Sequence, residues 1–134
     1  MNVLVDTSVW SLALRRSAAQ RSRETAELVE LIREGRVAMI GAIRQEILSG
    51  IRAPEQYRKL RNRLRAFNDE SVDETDYEEA ATCFNRCRAK GLQGSNTDFL
   101  ICAVGRRRKF AILTTDKDFA GFARFLGLEL HAPR

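Results

Sequence analysis

The chain is poor in the residues that build zinc cages, disulfide frameworks and membrane spans. Of its 134 residues one is histidine and three are cysteine. Cys83, Cys87 and Cys102 cannot pair completely and lack the dense, even spacing of a secreted disulfide scaffold, so a reducing compartment is expected. Cys83 and Cys87 stand one helical turn apart, but no histidine or further cysteine lies close to them, and core packing is their expected role. His131 has no nucleophile beside it in sequence and is assigned no catalytic role. No apolar run exceeds strand length, far short of the ~20 residues that cross a bilayer, which predicts a protein without a membrane partner. The first residues enter an apolar segment with no basic lead and no small-residue cleavage site, which predicts a cytoplasmic protein without a secretory signal. Internal repeats, low-complexity tracts and flexible linkers are lacking as well, so residues 1–134 read as one domain.

Positive charge, by contrast, is plentiful and grouped. The net charge is +5 and the basic residues cluster at Arg15 and Arg16, at Arg58 to Arg65, and at Arg106 to Lys109. Such grouping favours a polyanionic partner, because neutralising phosphates releases counterions. Solvated helix faces explain the same pattern equally well from charge alone.

Hydrophobic periodicity orders the chain into alternating elements. Apolar, β-branched runs predict strands at 2–5, 37–40 and 111–114, with a brief strand near Val72 inside an acidic loop and a last strand at 128–130. Three- and four-residue spacing predicts helices at 7–14, 22–34, 42–49, 54–67, 77–90, 98–109 and 117–125, several of them stopped by glycine. Pro54 suits a first helical turn, and 54–90 reads as a helical region within the same domain. Strands that are nearly all apolar and alternate with helices define the class: an α/β fold whose central, mainly parallel sheet is flanked by helices in three layers.

That topology gathers four acids. Sites in parallel sheets form at the carboxyl ends of the strands, where Asp6 follows the first strand and Asp116 follows the strand 111–114. Asp98 opens the helix that feeds this later strand. A helix of about twelve residues rises ~18 Å and a strand of about five ~16 Å, so the chain returns Asp98 to the level of Asp116. Glu46 lies about one turn into the helix after 37–40, near the same edge. Converging carboxylates repel one another unless a cation joins them, and an oxygen-only ligand set without histidine or cysteine selects Mg²⁺ or Mn²⁺ over zinc. Such an ion polarises a phosphodiester and lowers the pKa of the attacking water.

Each acid also has a plainer reading. Asp6 and Asp116 suit helix N-caps, and Ser95 to Asp98 and Thr115 to Asp118 both match a capping-box pattern. Glu46 is mid-helix beside Ile43 and Ile47, where no cap is needed and a carboxylate reaching to solvent is the alternative. Trp10, Phe84, Phe99, Phe110 and Phe119 suit a core better than a stacking platform for bases.

Four segments in order carry a family resemblance: Val3-Leu4-Val5-Asp6-Thr7-Ser8-Val9-Trp10, Gln45-Glu46-Ile47-Leu48, Asn96-Thr97-Asp98-Phe99-Leu100-Ile101-Cys102-Ala103, and Leu113-Thr114-Thr115-Asp116-Lys117-Asp118-Phe119. Over nearly its whole length the sequence resembles the PIN-domain ribonucleases, in particular the VapC toxins of VapBC toxin–antitoxin pairs. The resemblance implies a Mg²⁺- or Mn²⁺-dependent endoribonuclease with Asp6, Glu46, Asp98 and Asp116 as catalytic and metal-binding acids. Thr7, Ser8, Asn96, Thr115 and Asp118 would position those carboxylates or touch substrate. It further implies an RNA substrate, a small VapB-type antitoxin that occupies the active-site groove, and a homodimer. Phe99 stands where relatives often carry a small residue, which predicts a narrower groove or an altered dimer surface. For RNA contact, Arg15, Arg16 and the arm at 58–65 are favoured; Arg106 to Lys109 close a helix, where positive charge is favourable in its own right.

Three other functions fit less well. A nuclease of RNA processing or of DNA flaps would share the acids. An aspartyl-phosphate phosphatase needs a second Asp two positions after the first, and Ser8 stands there. A binding module that had lost its chemistry would have no use for mutually repelling carboxylates.

Overall fold

The computed structural model describes residues 1–14 and 22–134, so Arg15 and Arg16 lie outside the described residues. Three short strands, β1 (Val3–Val5), β2 (Val37–Ala38) and β3 (Ala111–Leu113), form a parallel sheet in the order β2-β1-β3. The registers Val3↔Val37 and Val5↔Leu113 place β1 at the centre, and all three of its residues are buried. A strand covered on both faces needs apolar side chains on both, hence the unbroken Val-Leu-Val.

Helices flank this sheet. The described helices are α1 (Thr7–Leu14), α2 (Arg23–Arg33), α3 (Gly41–Leu48), α4 (Pro54–Leu64), α5 (Glu74–Ala89), α6 (Asn96–Arg108) and α7 (Asp118–Leu126). Helix α1 packs on α2 and α3, and α3 on α4, whereas α5 packs on α6 and α7. Helix α6 is the most enclosed: every residue from Phe99 to Gly105 is buried, and the helix runs directly into β3. Cys83, Cys87 and Cys102 are free and buried in the same core, and burial pushes their thiols above the ordinary range, so they stay protonated and serve as packing.

Two expected strands shrink to single bridges. Near the acidic loop, the sheet contact is Met39 with Asp69, and the Glu70 N–H donates to the Met39 carbonyl at 2.7 Å; no strand forms at Val72. The segment 128–130 makes one parallel bridge, Ile112 with Leu130, before the tail turns away to α2. There the buried Glu27 accepts hydrogen bonds from His131 and Arg134, and Arg134 also pairs with Glu34. These contacts give His131 a structural role.

Helix starts follow their caps. Helix α5 begins at Glu74, earlier than periodicity predicts, because Asp73 and Asp76 form a reciprocal capping box in what reads as an acidic loop. Asp76 is fully buried and also accepts from Arg107 and Arg108 at the end of α6. Arg106 pairs with Glu79, so this basic cluster fastens α6 to α5. The capping box expected over Thr115 to Asp118 does not form: α7 starts after Lys117, whose side chain caps nothing.

Candidate active site

Because Val5 pairs with Leu113, the next residues along each strand, Asp6 and Thr114, emerge side by side at the carboxyl edge of the sheet. The Asp6 N–H still donates to the Leu113 carbonyl at 2.9 Å. Its carboxylate Oδ2 accepts from two hydroxyls, Ser8 Oγ at 2.7 Å and Thr114 Oγ1 at 2.8 Å. Each hydroxyl then takes a backbone N–H from the turn after β3: Asp116 N–H donates to Thr114 Oγ1 at 3.0 Å, and Thr115 N–H to Ser8 Oγ at 3.2 Å. Asp6 is thereby locked to the turn that carries Asp116. Asp116 Oδ1 in turn accepts from the Asp118 N–H at 2.9 Å, an Asx turn that leads into α7.

The other two acids arrive on helices. Glu46 is exposed on α3, and its Oε1 accepts from the Thr7 hydroxyl at 2.6 Å, which ties α3 to the first turn of α1. Asp98 is the third residue of α6, where Oδ2 accepts from the Ser95 N–H at 2.9 Å and its own N–H donates to Ser95 Oγ at 3.0 Å. The preceding loop runs hard against this carboxylate: a Cβ added at Gly94 would lie 3.2 Å from Asp98 Oδ2 and 2.8 Å from Phe122 Cζ.

All four acids line one open cavity of about 620 Å³, together with Thr7, Ser8, Gln45, Ser49 and Thr97. In each carboxylate one oxygen is held by a protein donor, while the other, Asp6 Oδ1, Glu46 Oε2, Asp98 Oδ1 or Asp116 Oδ2, accepts no hydrogen bond from a described residue. Among the described residues no group of three or more acids, histidines or cysteines is gathered closely enough to hold a metal ion as it stands. The carboxylates therefore wall a hollow rather than meet at a point. Burial pushes the Asp98 carboxyl above its ordinary range, and the negative charges of Asp6 and Asp116 add to this, while the bonds from Ser95 pull it back. A cation among these groups would relieve that repulsion, and carboxylate oxygens without nitrogen or sulfur donors are the ligand type of a hard divalent ion.

The remaining sequence candidates divide. Thr7 and Ser8 line the cavity and hold carboxylates. Thr115 and Asp118 act through backbone N–H groups, and neither side chain lines the cavity; Asp118 is exposed. Asn96 opens into an adjoining cavity instead. Phe99 is buried among Phe84 and Phe122, so it neither narrows the groove nor contributes surface. Thr114 is the residue that sequence reasoning missed, although its position one step beyond a paired strand residue marks it as the neighbour of Asp6.

A parallel sheet with an acid-walled hollow at its carboxyl edge places the chain among α/β proteins whose site is built from strand ends and helix starts. More narrowly, the chain belongs to the PIN-domain family, a family of nucleases: the family model for the PIN domain matches residues 3–124. No curated protein matches the sequence. Among solved structures, FitAcB from Neisseria gonorrhoeae is similar with a TM-score of 0.77 and 21% identity over 98% of this chain and 97% of that one. VapBC2 from Rickettsia felis, bound to a DNA fragment from their promoter, is similar with a TM-score of 0.74 and 18% identity, over 98% of both chains. A toxin–antitoxin complex from Klebsiella pneumoniae has a TM-score of 0.69 and 18% identity over 99% of this chain and 98% of that one. At these identities the likeness is one of fold.

Proposed function

We propose that the protein is an endoribonuclease that requires Mg²⁺ or Mn²⁺ and acts as the toxin of a toxin–antitoxin pair. One observation carries the reading: Asp6, Glu46, Asp98 and Asp116 share a cavity, and each keeps one oxygen free. Asp6, Asp98 and Asp116 would hold the ion, with Glu46 across the cavity as a further ligand or as acceptor of a water proton. When bound, the ion supplies Lewis-acid polarisation of the phosphodiester and lowers the pKa of a water molecule. Ser8, Thr114 and Thr7 position the carboxylates, and the open wall leaves room for a strand of nucleic acid.

On one side of the hollow a groove of about 510 Å³ shares Glu46 and Ser49 with the acid cavity and is lined farther out by Lys59 and Arg63 of α4, the basic arm read from sequence, with Glu55 beside them. It offers a path for the phosphate backbone. The antitoxin partner is supported by the fold's likeness to chains solved as toxin–antitoxin complexes, and a homodimer by the family resemblance alone.

Asp98→Asn is the test. Asparagine keeps an acceptor for the Ser95 N–H and removes the charge, so the melting temperature should hold while RNA cleavage falls on the order of 100-fold or more. Cleavage that persists in this variant at saturating Mg²⁺ would refute the assignment.

A further inference from the structure

The C-terminal end of α5 carries two cations with no carboxylate partner among the described residues. Arg86 and Lys90 stand one helical turn apart, both exposed, and both face the half-buried ring of Phe125 in α7: the Arg86 guanidinium carbon lies 5.2 Å and Lys90 Nζ 6.0 Å from its centroid. Like charges at this spacing repel, and neither residue belongs to a salt bridge among those described. Residues 15–21 contain no acid. The ring steadies both cations by cation–π attraction without cancelling their charge, so the counterpart that fits here is an anion. The loop that follows sets the place of the pair. The Gly91 N–H donates to the Arg88 carbonyl at 3.0 Å and the Leu92 N–H to the Cys87 carbonyl at 2.8 Å, and a Cβ added at Gly121 would meet the Leu92 side chain at 3.3 Å, so this turn is fixed on α5 and packed against α7. Gly94, where the loop presses on the Asp98 carboxylate, comes four residues after Lys90, a span of at most about 14 Å. The pair therefore lies within reach of the acid cavity on its Asp98 side, whereas Lys59 and Arg63 lie beyond Glu46.

We propose that Arg86 and Lys90 form a phosphate site for the RNA strand, a few nucleotides from the cleaved bond, where the strand leaves the acids past Asp98. The inference rests on the RNA-cleaving reading above and adds a binding surface to it. Phosphate contacts of this kind carry no base preference; they supply affinity and fix the position of the strand. An acidic protein segment matches the charge equally well, but a strand already lying on Asp98 brings its phosphates to this place as part of the same binding event. The plainer account is that cations favour a helix C-terminus. It predicts that neutralising the pair costs stability and does nothing to RNA.

Anisotropy of a fluorescein-labelled oligouridine of about a dozen nucleotides, titrated with the full chain across a salt series, tests the site; the Asp98→Asn background keeps turnover from intervening. Arg86→Gln combined with Lys90→Gln keeps side-chain stems beside Phe125 and removes both charges. The pair of changes should weaken binding about tenfold near 0.1 M salt and flatten the slope of log Kd against log salt by about 1.4, the counterion release of two single-strand phosphate contacts. Exchanging the residues, Arg86→Lys with Lys90→Arg, should restore both affinity and slope. Unchanged affinity and slope in the glutamine variant, whatever its melting temperature, leaves only the helix-end account and overturns the proposal. Binding of poly(glutamate) that the glutamine variant abolishes while RNA binding stays would assign the pair to an acidic protein and overturn it too. Salt-dependent loss of RNA binding in the variant supports the site even if the wild type cuts no RNA, in which case the nuclease reading fails alone. Wild-type cleavage with RNA binding that the variant leaves intact strikes the phosphate site and spares the nuclease reading; a chain that binds no RNA at all contradicts both.

Discussion

Two hydroxyls hold the centre of the site together. Thr114 Oγ1 donates to Asp6 and accepts from the Asp116 N–H, so one atom sets the spacing of two acids. Thr114→Val preserves shape and removes both bonds, leaving the buried Asp6 carboxylate and the Asp116 N–H less well satisfied. It should lower stability by about 1–2 kcal/mol and cleavage by roughly tenfold, while Thr114→Ser restores both; melting curves and initial rates measure the two effects. A valine variant as active as wild type would show that the hydroxyl does not position the acids. Asp6, Asp98 and Asp116 were legible in sequence because each follows a strand or opens a helix, and Glu46 because it lies about one turn into the helix after a strand. Thr114 was not, because a threonine at a strand end is ordinary until the register Val5↔Leu113 puts it beside Asp6.

Helix α6 brings Asp98 to the edge and then delivers the chain to β3, so its ends matter. Its N-terminus is fixed by the Ser95–Asp98 capping box, a pattern visible in sequence. Its C-terminus ends at Lys109 with φ of 57°, the one non-glycine residue in the left-handed region among those described. Glycine adopts that conformation without strain, and Lys109 belongs to no salt bridge among the described residues. Lys109→Gly should therefore raise stability by about 0.5–1 kcal/mol and leave cleavage unchanged, as read by thermal melting and RNA turnover. Elements that sequence mislocated share a cause. Helix α5 starts early because Asp73 and Asp76 cap it, and an acidic, polar stretch without apolar periodicity hides a helix start. The strands expected near Val72 and at 128–130 are reduced to one bridge each because tertiary pairing, not local composition, decides where an extended segment leaves the sheet.

Across the whole molecule, arginine-paired acids link stability to pH. Hydrogen bonds from Arg108 hold the Asp76 carboxyl well below the ordinary range against the opposing effect of burial. Arg134 and Arg36 hold Glu34 down to about 2, and the bonds of His131 and Arg134 to Glu27 outweigh the burial that alone would raise it. A carboxyl depressed in the folded state adds stability above its unfolded pKa of roughly 4 and loses it as pH falls toward the folded value. The melting temperature should thus be level near neutrality and fall below about pH 4. Asp76→Asn should cost about 2 kcal/mol at pH 7, less than a fully enclosed pair because Arg107 and Arg108 keep 36% and 23% of their side-chain surface exposed. That deficit should shrink as pH drops and the wild-type carboxyl takes up its proton; a deficit independent of pH would remove Asp76 from the account.

The fold class was readable from apolar strands alternating with helices, since a parallel sheet follows from that order and puts strand ends on one edge. The shared cavity was readable for the same reason, whereas its continuation into a groove along α4 and a second cavity along α5 required the packing of those helices. The account as a whole stands on divalent-ion binding by the four acids, and calorimetric titration of Mn²⁺ into the wild-type chain and into Asp6→Asn measures it directly. Saturable binding in the wild type that is weakened tenfold or more in the variant is the predicted result; no binding, or equal binding to both, would contradict it.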